Sequence, residues 1–216
     1  MPLEAVPVTP ELEAYLESLL VPRDPVLAGL EQEADESGVP IVGPQVGNLL
    51  FLLKALQRPR LILELGCATG YSAIWLARGA AEARLVTTEL DRRRAERARR
   101  GFREAGLSDR IELVEGDALD YLAASRDRYD LIFNDLLNSL RDEKDVERAF
   151  ELSLEHLGPG GLLVADNALR RGEVLEPASQ GGRNVVRYNQ LVAAEERLRG
   201  LILPLRDGVS VARLET

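Results

Sequence analysis

Arg60 to Ser72, RLILELGCATGYS, runs from an apolar stretch through a glycine turn into the start of a helix. Leu61, Ile62, Leu63 and Leu65 give the near-continuous branched apolar run of a parallel strand buried on both faces. Gly66 and Gly70 permit tight turns and close approach of a ligand to the backbone. A dinucleotide-binding fingerprint would place glycines two and five residues after Gly66, where this chain has Ala68 and Tyr71. A pyrophosphate lying on the backbone is therefore poorly supported, and an adenosine-bearing ligand without one fits better. On this stretch alone, a plain strand-to-helix turn is the competing reading.

Working outward, an acid stands at the end of each apolar run: Glu64 in RLILEL, Glu89 after RLVTT, Asp117 after RIELVEG, Asp135 after YDLIFN and Asp166 after GGLLVA. In an open parallel sheet, ligands bind outside the carboxyl ends of the strands, so these acids are expected to face one crevice. Any one of them alone reads equally well as a helix N-cap. Glu89 lies 23 residues after Gly66, close to the roughly 20 at which an acid hydrogen-bonds a ribose.

From Leu61 on, strands near 60–65, 84–89, 110–115, 129–134 and 161–166 alternate with helices near 71–79, 91–106, 118–124 and 141–157. This is the order of a doubly wound, Rossmann-like α/β sheet. After a helix near 184–198, Leu201 to Leu205 and Val209 to Leu214 flank Arg206-Asp207-Gly208 as a terminal hairpin. Arg170 to Arg183, rich in Gly, Pro and Ser, is expected to be a flexible loop. Ahead of the sheet, helices near 9–20 and 24–36 and a third after Pro44 are expected to pack on the sheet edge. The third carries Val46, Leu49, Leu50, Leu53 and Leu56 as an apolar stripe. The whole, 1–216, reads as a single domain, with N-terminal helices over 1–57 packed on a 58–216 core.

A chain of 216 residues buries roughly 70% of its extended surface. With 27 basic against 36 acidic residues the net charge is -9, which disfavours a dedicated nucleic-acid binder. Cys67 is the single cysteine, which excludes a disulfide framework and suits a reducing compartment. The N-terminus, MPLEAVPVTPELEAY, shows no signal pattern, and no apolar run approaches the roughly 18 residues of a membrane span. A cytoplasmic protein without membrane attachment is expected. The arginine-rich run DRRRAERARRGFREAG keeps Ala95, Ala98, Phe102 and Ala105 at helical spacing and so reads as a solvated surface helix. His156, the only histidine, reads as a helix-end packing residue.

Taken together, VGPQVGNLL, LILELGCATGYSAIWLA, RLVTTELD, RIELVEGDA, YDLIFND, LGPGGLLVADN and LPLRDGVSVARL resemble the class I S-adenosylmethionine-dependent O-methyltransferases of the cation-dependent catechol and caffeoyl-CoA type. The resemblance extends from about Asp24 to the C-terminus. It implies a seven-stranded sheet, mostly parallel, with an antiparallel last strand. It also implies that S-adenosylmethionine binds with Val42, Gly66 and Ser72 along its methionyl part, Glu64 at the floor, Glu89 on the ribose and Asp117 by the adenine. Asp135, Asp166 and Asn167 match the metal ligands, and Asp135 serves catalysis as well and borders the cofactor. Two carboxylates and an amide oxygen are hard donors suited to Mg²⁺, Mn²⁺ or Ca²⁺. The expected partner is a small hydroxyl-bearing acceptor, catechol-like or otherwise aromatic. Relatives are often homodimers, and the N-terminal helices would supply such an interface.

Two positions depart from this family. The catalytic lysine expected three residues after Asp135 is Asn138, and an amide takes up no proton at neutral pH. The only lysines are Lys54 and Lys144; Lys144 lies in a charged helix start and reads as solvated. The second departure is Arg170, where relatives commonly carry an aromatic residue. An arginine there either grips an acidic group of the acceptor or points to solvent. Methylation of a hydroxylated tRNA base, and cofactor binding with weak or lost catalysis, stand as alternative functions.

Overall fold

The structure, a computed structural model, describes residues 7–78 and 83–215. The first six residues of the N-terminal stretch and the expected helix end at 79 lie outside them.

Three helices come first: α1 (Pro10–Ser18), α2 (Pro25–Ser37) and α3 (Gly43–Gln57). Thr9 caps α1 and Asp24 caps α2, each accepting from backbone N–H groups of the first turn and each followed by Pro at the first helical position. The core then alternates as β1 (Leu61–Leu65), α4 (Tyr71–Ala77), β2 (Arg84–Glu89), α5 (Arg92–Glu104), β3 (Ile111–Glu115), α6 (Ala118–Ala124), β4 (Tyr129–Asn134), α7 (Glu143–His156) and β5 (Leu157–Ala165). A short 3-10 turn (Arg170–Gly172), α8 (Gln180–Ala194), β6 (Leu198–Leu203) and β7 (Val209–Leu214) complete it.

The strands form one seven-stranded sheet in the order β3-β2-β1-β4-β5-β7-β6. The pairs among β1 to β5 are parallel, while β7 runs antiparallel to both β5 and β6. Successive side chains of a strand point to opposite faces. Ile62, Leu131, Phe133 and Val164 accordingly pack with α2 to α5, and Leu63, Leu65, Ile132 and Leu163 with α6 to α8. Both faces are covered, as the near-continuous apolar run of β1 required. Truncating a core residue such as Phe133 to Ala would cost roughly 3–5 kcal/mol.

Several boundaries differ from the sequence reading. β5 begins at Leu157 because Gly158-Pro159-Gly160 is absorbed as a bulge, with Tyr129 paired to Leu157 but Leu131 to Leu162. α8 begins at Gln180, where Ser179 accepts from Gly182 N (2.9 Å) as N-cap. The expected loop 170–183 is thus shortened from both ends, by the 3-10 turn and by the first turn of α8. β6 covers Leu198–Leu203, three residues ahead of the expected Leu201 to Leu205.

The N-terminal helices lie over a sheet face and not along an edge strand. Val46 and Leu50 of α3 join the core that contains Phe133 and Val164, and Leu27 and Leu30 of α2 join the same cluster. α1 buries none of its residues. Leu56 of the expected stripe is exposed, whereas Lys54, outside that stripe, is fully buried and donates from Nζ to the carbonyl of Arg78 at the end of α4. No helix among the described residues is long and apolar enough to cross a membrane.

Candidate active site

Strand register creates the site. Leu65 pairs with Asn134 and Asn134 with Ala165, so Gly66, Asp135 and Asp166 stand side by side, one step beyond three adjacent strand ends. Asp135 N donates to Leu65 O and Asp166 N to Asn134 O, each at 3.1 Å, which carries the alignment past the paired rows. On the other side Leu65 pairs with Thr88, bringing Glu89 beside Gly66.

The glycine turn is held by β2. Gly66 N donates to Thr88 Oγ1 (3.1 Å), Cys67 N to Thr88 O (2.9 Å) and Ala68 N to Glu89 Oε2 (2.8 Å). Gly66 and Gly70 have φ of 85° and 91°, and a Cβ at Gly70 would come within 2.7 Å of the Phe102 ring. This is the conformational demand read from their residue type. The other oxygen of Glu89 accepts from Asp91 N at 2.8 Å. Asp117 caps α6 through Oδ1, accepting from Leu119 N (2.8 Å) and Asp120 N (3.0 Å). The N-cap reading of that acid is therefore correct, and it also lines the cavity.

Val42, Gly66, Glu89, Asp117, Asp135, Asn138, Asp166 and Asn167 all line one cavity of about 1150 Å³. Glu64 and Ser72 do not; both are buried, at 0% and 4% exposure. Glu64 lies in the wall behind the cavity, where it accepts a 2.5 Å hydrogen bond from Thr87 Oγ1, and among the described residues no hydrogen bond reaches its Oε1. Burial pushes its pKa up to about 7, against the opposing influence of Ser72 and Thr87.

Asp135 is held well above the ordinary carboxylate range, first by burial and then by the negative charge of Asp166, Glu64 and Glu89. Asp166 is raised to about 6 by burial, partly offset by the Asn167 backbone and by Arg206. Among the described residues no three His, Cys, Asp or Glu side chains converge as a metal cluster, so a cation at this pair would need an amide oxygen as third donor. Asn167 supplies one. Its Nδ2 donates to Asp207 Oδ2 at 3.3 Å, and its Oδ1 accepts from Asn138 Nδ2 at 2.8 Å. Adjacent strands lie about 4.8 Å apart, so carboxylates one step past β4 and β5 can share one ion. Two mutually repelling carboxylates, Asp166 buried and Asp135 half-buried, with an oriented amide oxygen therefore fit a hard divalent cation.

Three contributors were not legible in the sequence. Asp207 sits 40 residues from Asn167 on the β6–β7 turn, whose backbone also accepts from Ala168 N and Leu169 N, both at 2.8 Å. Arg206 of the same turn donates from Nη1 to the carbonyl of Val42, joining the N-terminal segment to the site. Asn184, fully buried in α8, donates to Leu137 O (3.3 Å) and Leu140 O (2.8 Å) and holds the loop that carries Asn138. Lys144 is exposed on α7 and absent from the cavity lining, in keeping with a solvated role. His156 packs at its helix end between Leu152 O (2.9 Å) and Ser125 O (3.2 Å).

A doubly wound sheet with an acid-lined cavity at its carboxyl ends defines an α/β enzyme of the ligand-at-strand-ends type. The chain's residues 23–215 match the O-methyltransferase family, and it belongs to that family. A catechol O-methyltransferase of Mycobacterium tuberculosis is 36% identical over 179 residues, covering 81% of this chain and 79% of the relative. One from Niastella koreensis is 34% identical over 218 residues, covering 93% and 95%. Among solved structures, the Bacillus cereus O-methyltransferase in complex with SAH superposes with TM-score 0.84 at 33% identity, covering 95% of this chain and 97% of that one. The Streptomyces achromogenes O-methyltransferase involved in tomaymycin synthesis, in complex with SAM, gives TM-score 0.84 at 31% identity, covering 95% and 96%.

Proposed function

We propose that this O-methyltransferase carries the methyl group of S-adenosylmethionine to one hydroxyl of a small ortho-diphenol, with a divalent cation at Asp135, Asp166 and Asn167. The observation that carries the reading is the side-by-side placement of Asp135 and Asp166 on neighbouring strands, in the same cavity as Glu89 and Asp117. The catechol-methylating relatives support the acceptor class, and the SAH and SAM complexes support the cofactor.

In this reading Glu89 takes the ribose hydroxyls. Its two oxygens each already accept one backbone N–H and keep lone pairs for a ligand. Asp117 borders the adenine, using the oxygen that does not cap α6. Val42 and Gly66 follow the methionyl part, with Ser72 and Glu64 buried behind them. A cation at the Asp135 pair would supply positive charge that makes an acceptor hydroxyl more acidic and orients it. The acceptor oxygen then attacks the methyl carbon in line as the carbon–sulfur bond breaks, leaving S-adenosylhomocysteine. Asn138 donates to Asn167 and can take no proton, so the hydroxyl proton passes to solvent.

Methyl transfer from labelled S-adenosylmethionine to catechol, with and without a chelator, tests this. Transfer that is abolished by chelation and restored by added Mg²⁺ is the expected result. Transfer indifferent to chelation removes the cation from the reading.

A further inference from the structure

Arg170 lines the cavity, and no partner for its side chain lies among the described residues. Its backbone N donates to Asn167 O at 3.2 Å, which places it one turn beyond the proposed metal-ligand turn. Its side chain lines the same cavity as Asp135, Asn138 and Asp166. Nε is buried and unbonded, and among the described residues the guanidinium makes no hydrogen bond or ion pair. The group packs on the first turn of α8, where a Cβ at Gly181 would fall 2.9 Å from both Nε and Nη2. The backbone accepts a cost to hold it, since Arg170 has φ of 46° and Arg171 of 50°, conformations that L side chains rarely adopt.

Burying part of a guanidinium with no acceptor is unfavourable unless a ligand completes it. Three neighbouring arginines are already committed, while Arg94 and Arg171 line the cavity as exposed side chains. Arg141 pairs with Asp145 and Arg148 with Asp120 across the same cavity, and Arg206 is engaged by the carbonyls of Ile41 and Val42. Apart from the exposed Arg171, this end of the cavity is acidic, through Asp135, Asp166 and Asp207, and those carboxylates would repel an anionic acceptor if nothing offset them.

We infer that Arg170 is a specificity-determining residue that binds a carboxylate on the acceptor, so that the preferred substrate is an ortho-diphenol bearing an acidic group away from its hydroxyls. This rests on the diphenol reading above and narrows it. Arginine suits the task because its planar fork meets a carboxylate with two parallel N–H donors.

Calorimetry on the protein loaded with S-adenosylhomocysteine and Mg²⁺ tests the inference without requiring turnover. Protocatechuate, which carries a carboxylate, is compared with catechol, which does not. Wild type is expected to bind protocatechuate on the order of 10-fold more tightly, with the preference shrinking as salt rises. Arg170→Met is expected to bring the ratio near one and Arg170→Lys to keep part of it. Binding of S-adenosylhomocysteine to the same samples reports that each variant is folded. Equal affinities in the wild type, or a preference untouched by Arg170→Met, overturn the inference and leave the diphenol reading standing. Binding of neither compound overturns both.

Discussion

Asn167 and Asp207 are joined by a hydrogen bond that fixes which way an amide faces. A carboxylate only accepts, so Asp207 Oδ2 claims Asn167 Nδ2 at 3.3 Å and turns Oδ1 into the cavity, towards Asn138. The oxygen that Asn167 would offer to the proposed cation is thus chosen by a residue outside the proposed donor set. Asp207→Ala should weaken Mg²⁺ or Mn²⁺ binding by about 10-fold, the lower end of what second partners of metal ligands contribute. Titration of the metal-free protein with either ion measures it, and an unchanged dissociation constant would show that Asn167 holds its orientation unaided.

The proton of the acceptor has no protein base at position 138. The rate at saturating catechol should therefore climb with pH by about a decade per unit until the pKa of the bound hydroxyl, lowered by the proposed cation, is reached. Asn138→Lys should raise the rate at pH 7 by at least about 10-fold and flatten that climb, since a positioned base contributes roughly 10²–10⁴. Parallel pH profiles for the two proteins would place the proton's route elsewhere.

Glu64 makes stability pH-dependent. Its ordinary value is 4.5 and burial raises it to about 7 in the folded chain, so the folded state favours the protonated form. Its stabilising contribution is fully present below pH 4.5 and is lost as pH rises through 7, a change on the order of 3 kcal/mol. Glu64→Gln, which keeps an acceptor for Thr87, should gain thermal stability over wild type as pH increases from 4.5 to 8. Melting curves of both proteins across that range decide it, and a constant difference would contradict the assignment.

Lys54 gives the opposite window. Burial and the charge of Arg110 lower it from 10.5 to about 8, so its cost is present below pH 8 and relieved as pH rises to 10.5. Wild type should therefore gain stability relative to Lys54→Met over that interval, measured by denaturant midpoints. A gap that stays fixed would mean the amine remains effectively solvated.

Much of the architecture was legible because β1 to β5 are largely apolar runs with an acid at or just past their ends, and parallel register then forces those acids into one row. Asp135, Asp166 and Glu89 could be brought together on that basis alone. Illegible features depend on distant partners. Nothing near Lys54 in sequence announces that its amine ends at the Arg78 carbonyl, and nothing near Asp207 announces Asn167. The start of α8 was missed because Gln180 to Arg183 reads as polar loop, although Ser179 was available as a cap. The Gly-Pro-Gly of β5 likewise reads as a turn, and only the bulge opposite Tyr129 shows that it is accommodated in the strand.

The turn Arg206-Asp207-Gly208 bonds both to the segment at Val42 and to the residues around Asn167, yet it lies within the last strand pair of the chain. During synthesis every acid at a strand end of the cavity, from Glu89 to Asp166, leaves the ribosome before this clasp emerges. A product terminated ahead of the clasp would own the acids of the strand ends and still lack the piece that aims them.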